Sequence, residues 1–259
     1  MFIDSHCHLD KIDLADFGGD FAQLIDTARA ADVERMLCIG VTLEEFPAMA
    51  ELVADYEDIY LSCGVHPLYV AKHPLQQHLL RDLAKHERVV AIGETGLDYY
   101  YDADSKKVQQ ESFAYHIELA NELHKPLIIH TRDAREDTLS MLKEGGAERC
   151  GGVLHCFTES LEMAQRAIDE LGFYISISGI ASFRSATELR EVVQAIPLQH
   201  LLIETDSPWL APVPHRGKQN HPALVADVAK CVADIKGCSL AEVAAVTKNN
   251  FFKLFQGAN

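Results

Sequence analysis

Short apolar or β-branched runs alternate with longer segments of helical period from one end of the chain to the other, which is the pattern of parallel βαβ units. Phe2–Asp4, Arg35–Ile39, Ile59–Cys63, Val89–Gly93, Pro126–Ile129, Gly152–Leu154, Phe173–Ser176 and Leu201–Ile203 read as eight strands. Between them the spacing predicts helices over Asp20–Ala31, Leu43–Asp55, Pro74–His86, Ser105–His124, Ala134–Glu144, Ser160–Leu171 and Ser185–Ala195. Pro222–Lys236 and Leu240–Phe255 supply further helix after the eighth strand. In the longest helix Phe113, Ile117 and Ala120 recur every three to four residues, with Gln109, Gln110, Glu111 and Glu118 mostly between them. A single closed (β/α)8 TIM barrel over residues 1–259 accounts for the whole pattern without a linker. An open doubly wound sheet is the alternative, but it would carry a Gly-rich turn after its first strand, where this chain has Ser5-His6-Cys7-His8.

Composition narrows this picture. The chain has 259 residues, 48% hydrophobic and 24% charged, which is ordinary globular usage and excludes disorder as the main state. Its 23 Lys and Arg against 39 Asp and Glu give a net charge of −16, which repels a polyanion at long range, so a nucleic-acid substrate requires a local exception. No run of 18 apolar residues occurs, and the start MFIDSHCHLD has no basic segment before an apolar one; the expectation is a soluble, untargeted, cytoplasmic protein with no membrane contact. Seven cysteines with no C-x-x-C pair read as small core residues of a reduced protein, in preference to a disulfide framework or a thiolate zinc site.

In a barrel of this kind chemistry is built at the C-terminal strand ends, and there stand His6 and His8 after strand 1, Glu94 after strand 4, His130 after strand 5, His155 after strand 6 and Asp206 after strand 8. Side chains alternate along an extended chain, so His6 and His8 point the same way and Cys7 turns away. Of the 13 histidines, His73, His78, His86, His116, His124 and His200 fall on helices or loops and read as surface or partly buried. Four imidazoles and two carboxylates exceed what one tetrahedral ion needs and suit two divalent ions: His6, His8 and Asp206 on the first, His130 and His155 on the second, Glu94 bridging. Nitrogen and oxygen donors without thiolate fit Zn²⁺, Mn²⁺, Mg²⁺ or similar. Such a pair would make the pocket positive inside an acidic protein, and would acidify a water held between the ions.

The strings Asp4-Ser5-His6-Cys7-His8-Leu9-Asp10, Gly64-Val65-His66-Pro67, Gly93-Glu94-Thr95-Gly96-Leu97-Asp98-Tyr99, His130-Thr131-Arg132-Asp133-Ala134, His155-Cys156-Phe157 and Glu204-Thr205-Asp206-Ser207-Pro208 resemble the TatD family of metal-dependent hydrolases. The likeness runs from residue 4 to about residue 220, in the family's order. It implies a TIM barrel of the metal-dependent hydrolase superfamily and a divalent-metal site at His6, His8, Glu94, His130, His155 and Asp206. It also implies deoxyribonuclease activity, as a 3′→5′ exonuclease on single-stranded DNA or RNA ends.

Beyond the ligands, Asp206 is placed either as general base or as plain ligand, with Glu94 beside it. Phosphate binding is expected from arginine, whose fork is bidentate and always charged. Arg132 and Arg135 after strand 5, Arg184 after strand 7 and Arg216 after strand 8 are the candidates, with His66 at the end of strand 3. Of the aromatics near strand ends, Phe157, Phe183, Trp209 and the run Tyr99-Tyr100-Tyr101, the tyrosines are the best candidates for base stacking. A competing enzyme class keeps the metals and cleaves a carboxylic ester or amide, including deacylation of a mischarged tRNA. A non-catalytic barrel would be expected to lack a ligand, and none is missing.

Overall fold

The computed structural model describes residues 1–258. Eight parallel strands, β1 (Phe2–Cys7), β2 (Val33–Cys38), β3 (Ile59–Cys63), β4 (Val89–Asp98), β5 (Leu127–Arg132), β6 (Gly152–Leu154), β7 (Tyr174–Ile177) and β8 (Leu201–Ile203), lie in sequence order. The helices alternating with them are α1 (Phe21–Ala30), α2 (Phe46–Leu52), α3 (Gln77–Leu83), α4 (Lys106–Leu123), α5 (Arg135–Glu144), α6 (Leu161–Leu171) and α7 (Thr187–Ala195), followed by α8 (Val225–Lys236) and α9 (Leu240–Leu254). The (β/α)8 barrel predicted from the alternation is the fold.

Local chemistry sets the boundaries. Asp20, Ser160 and Ser239 accept backbone N–H bonds at the starts of α1, α6 and α9, and Gly172 takes the left-handed conformation that ends α6. The second and third helices are shorter than the periodicity suggests, because Leu43–Glu45 and Pro74–Gln76 are turn and extended chain. Strands β1, β4 and β5 run further toward the mouth than their apolar runs, which places the polar residues of the motifs within the sheet.

Two hydrophobic clusters result. The larger packs the outer faces of the strands on the helices. The smaller fills the barrel with Ile3, Leu37, Ile39, Val90, Ile128, Val153 and Leu202, and Phe251 of α9 and Phe255 just beyond it pack on it. Hydrocarbon occupies most of the barrel interior, Ser5 of β1 and Ser176 of β7 meet hydroxyl to hydroxyl across it (3.2 Å), and the imidazoles and carboxylates of the motifs gather at the mouth.

Parallel ladders join each strand to the next from β1 to β8. Between β8 and β1 the contact is made differently. Thr205 donates its N–H and its hydroxyl to the two carboxyl oxygens of Asp4 (2.9 and 2.6 Å), and Ser5 Oγ donates to the Ile203 carbonyl (2.9 Å). Just beyond the strand, Asp206 N–H reaches the His6 carbonyl (2.9 Å) and His8 N–H the Ser207 carbonyl (2.8 Å). Burial pushes the Asp4 carboxyl up to about 8 against the pull of the Thr205 hydrogen bonds.

Candidate metal centre

Glu94 lies at the middle of the mouth, within β4, because glycines flank it. Gly93 and Gly96 have φ of +145° and +133°, and a Cβ at Gly96 would stand 2.0 Å from the His130 carbonyl oxygen. Without side chains there, β4 presses on β5 in the register that sets Gly96 against His130. Glu94 is 2% exposed, and its two oxygens face two different groups of imidazoles. Oε2 lies 3.5 Å from His6 Nε2 and 3.9 Å from His8 Nε2; Oε1 lies 2.7 Å from His155 Nε2, 3.2 Å from His66 Nε2 and 3.5 Å from His130 Nδ1.

On the Oε2 side, His6 and His8 bring their Nε2 atoms to 3.2 Å, and Asp206 Oδ1 stands 3.6 and 3.5 Å from them. Cys7 turns outward as its alternation predicts, its Sγ donating to the Leu37 carbonyl. Among the described residues, donor atoms lie within 4.8 Å of one another in three sets: His6, His8 and Asp206; His66, Glu94 and His130; and His6, His155 and Glu204.

Tautomers distinguish the histidines. His130 Nε2 faces Asp98 Oδ2 (2.9 Å), so a neutral His130 that donates there has its Nδ1 bare toward Glu94. His66 Nδ1 accepts the Leu68 N–H (3.1 Å), so a neutral His66 carries its proton on Nε2 and presents a donor to the cavity. Burial lowers the His66 pKa further than Glu94 raises it, which keeps the ring neutral. Burial opposes ionisation of Glu94, yet the surrounding imidazoles, His155 foremost, outweigh it and hold its carboxyl well below the usual range. Asp206 is also lowered, burial being overcome by His8, His6 and His155.

The donor set fits divalent cations. His155 Nδ1 and Nε2, Glu204 Oε2 and the Nδ1 atoms of His6 and His8 are buried without an aligned hydrogen bond. The rings of His6 and His155 stack at 3.9 Å, an arrangement hostile to two imidazolium charges. Imidazole lone pairs converging on carboxylates in this way are what a nitrogen- and oxygen-liganded ion requires.

Glu204 and Asp98 are the residues that strand-end reasoning missed. Glu204 is fully buried, accepts the Cys156 N–H (2.6 Å) and lies 3.4 Å from His155 Nδ1. Both stand inside the quoted motifs, two residues before Asp206 and four after Glu94, so the alternation of an extended chain was the available signal. Gln109, read from its helical spacing as an outward residue, is buried. It receives the Asp98 N–H (2.8 Å) and donates to the Asp98 carbonyl (3.0 Å), fixing the residue that orients His130. His116, read as surface or partly buried, is fully buried, because its Nε2 accepts the Val65 N–H (3.1 Å) next to His66 and its Nδ1 donates to the Ser112 carbonyl (2.7 Å).

Above the cluster opens a cavity of about 260 Å³ whose lining includes His66, Glu94, His130, His155, Asp206, Tyr69, Tyr101 and Trp209, and whose one cationic residue is Lys11. The arginines stand around it. Arg132 lies over the rings of Tyr100 and Tyr101 (4.4 and 4.8 Å), Arg216 over Phe183 (3.6 Å), and Arg135 pairs with Glu159. Arg184 is exposed, and its carbonyl accepts from Arg190. Tyr99 is tied down, its hydroxyl donating to Asp137 (2.8 Å). Phe157 is buried.

No helix among the described residues is long and apolar enough to cross a membrane. Residues 3–256 match the TatD related DNase family. The chain is 52% identical over 255 residues to the uncharacterized metal-dependent hydrolase YcfH of Escherichia coli K12, covering 98% of this chain and 96% of that protein. It is 35% identical over 245 residues to the 3′-5′ ssDNA/RNA exonuclease TatD of Klebsiella pneumoniae, covering 92% and 93%. The crystal structure of YJJV, a TatD homologue from Escherichia coli K12, superposes with a TM-score of 0.91 at 30% identity over 98% of both chains. This chain is thus a metal-dependent hydrolase and belongs to the TatD family.

Proposed function

We propose that the protein is a phosphodiesterase acting on single-stranded nucleic-acid ends, a 3′→5′ deoxyribonuclease, with two divalent ions per chain. The observation that carries this reading is the division of Glu94, one oxygen toward His6 and His8, the other toward His130 and His155. His6, His8 and Asp206 would hold the first ion and His130 and His155 the second, with Glu94 shared between them; Zn²⁺, Mn²⁺ and Mg²⁺ are all compatible with these donors. When bound, such a pair activates water and neutralises charge on the phosphoryl oxygens.

The chain's own residues do the rest. Asp206 is ionised, borders the cavity and is the group placed to accept a proton from the attacking water. His66 presents its Nε2 proton to a phosphate oxygen. Arg132, Arg184 and Arg216 stand outside the cavity and contact the phosphates of the entering strand, and net charge and cavity shape disfavour a long duplex.

A second reading, hydrolysis of a carboxylic ester or amide including a mischarged tRNA, draws support from one feature: no arginine lines the cavity among the described residues. Purified protein with Mg²⁺, Mn²⁺ or Zn²⁺ is to be offered 5′-labelled single-stranded DNA, duplex DNA and an ester panel. Stepwise release of nucleotides from the single strand is the expected result. Ester turnover without nucleotide release overturns the nuclease reading. Asp206→Asn is expected to lose turnover while keeping its metal content; loss of both makes Asp206 a ligand alone.

A further inference from the structure

We propose that Trp209, Tyr101 and Tyr69 form a collar on which the bases of the entering strand stack, so that the substrate end is held by its base faces as well as by its phosphates. The proposal rests on the nuclease reading above and adds the means by which a single strand is selected.

Four aromatic residues are prominent on the surface of the described chain, Tyr69 (40% exposed), Tyr100 (59%), Tyr101 (64%) and Trp209 (49%). All four follow the ends of β3, β4 or β8, and three of them line the cavity above the candidate ligands. Rings left this open contribute little to the core; their common placement is what needs explaining.

Each member of the collar contacts a different residue of the centre, Trp209 and Tyr69 through their rings and Tyr101 through its backbone. Trp209 meets His8 edge-on with centroids 5.0 Å apart, and Tyr69 meets His66 at 5.8 Å. Tyr101 donates its N–H to Asp98 Oδ1 (2.8 Å), whose other oxygen holds His130. Arg132 lies over both Tyr100 and Tyr101, and the two tyrosines meet edge to face at 4.8 Å, which steadies Tyr101 from behind. The collar therefore stands at a set distance from the ligands, as it must if a base is to dock while its phosphate reaches them.

Charge leaves room for such a device. The cavity's one cation, Lys11, is already paired with Glu45 (2.9 Å) and Asp10 (3.1 Å), and the chain carries −16. Aromatic faces take any base, since every base has a π face, and they take it only when it is unpaired from a stack. The occupant is accordingly a frayed or single-stranded end, read without sequence preference.

Trp209 is the chain's single tryptophan and so reports directly on the collar. The experiment compares two oligothymidylates with identical backbones, one complete and one with abasic residues at its last positions. Its readouts are Trp209 fluorescence on mixing with the metal-loaded protein and the rate of hydrolysis. The complete strand is expected to quench Trp209 and the abasic strand to leave it unchanged, with kcat/KM about 5- to 150-fold lower on the abasic strand, the range contributed by one stacked base. Trp209→Ala and Tyr101→Ala should lose by a similar factor on the complete strand, mainly in KM, and little on the abasic one, with Trp209→Phe recovering most of the loss. Equal rates on the two strands, or an equal loss on both in Trp209→Ala, overturns the collar and leaves the nuclease reading standing. Quenching without hydrolysis of either strand overturns the nuclease reading and keeps the collar; neither quenching nor hydrolysis overturns both.

Discussion

The two halves of the candidate centre are built on different foundations. Glu94 and His130 stand on β4 and β5, whose ladder continues past the site to the pair Asp98 and Arg132. His6, His8 and Asp206 stand across the gap between β8 and β1, where buried side chains of Asp4, Ser5 and Thr205 do much of the joining. On the first side, backbone register sets the positions of the donors, and side chains are free to be chosen for chemistry. On the second, the polar side chains that hold the barrel together also hold the ligands in place, so structure and chemistry are less separable.

The contrast is sharpest when one residue is removed from each side. Glu94→Gln should reduce hydrolysis by about 10³-fold or more, since several kcal/mol of charge stabilisation depend on the bridge, while the urea midpoint in chelator stays near wild type. A large fall in that midpoint would show that the ladder does not carry the position of β4. Asp4→Ala should cost about 2–3 kcal/mol of stability by leaving the buried Thr205 N–H without an acceptor, and should lower activity as well although Asp4 faces no substrate. Unchanged unfolding in that variant would remove the distinction between the two sides. Asp98→Asn, which weakens the anchor of His130 while leaving every candidate ligand in place, is expected to lower metal affinity or turnover about 10- to 100-fold, measured by metal titration and initial rates.

The smallest effect concerns the support behind β3. Burial pushes His116 down to about 4, so the ring is neutral in the folded chain and gains its proton on unfolding. Its contribution to stability is complete above the ordinary histidine pKa and is lost as the pH falls toward 4. Between pH 7 and pH 5 this amounts to about 2 kcal/mol. Urea midpoints of the wild type and His116→Gln across that interval should differ in slope by this amount; parallel profiles would remove His116 as the source.

Most of the barrel was legible because its strands are short apolar runs and the segments between them have helical period. His6 and His8 were legible because alternation two residues apart leaves no choice of face. Asp98, Glu204 and Gln109 were harder, since a polar residue four positions along a strand or within a helical repeat looks the same whether it meets water or a buried histidine. Their roles depend on partners far away in sequence, such as Glu204 on the Cys156 N–H. Among the arginines, Arg184 follows β7 and Arg216 follows β8, as the sequence reading placed them. It had no access to the stacking of Arg216 on Phe183, which is decided by how two loops pack. Tyr99 and Tyr101 are two residues apart and of one type, and what separates them is partners on other elements: Tyr99 is held by Asp137, Gln110 and Lys106, whereas Tyr101 stands exposed beneath Arg132.

The gap between β8 and β1 also bears on how the molecule comes into being. Asp4 and Thr205 are 201 residues apart along the chain, whereas Asp98 and His130 are separated by 32. Closing the longer loop costs about 1.6 kcal/mol more in chain entropy, before any contact rewards it. Chain entropy therefore favours later assembly of the half that holds His6, His8 and Asp206, and a chain with only β4 and β5 paired would carry Glu94 and His130 in position while remaining chemically silent.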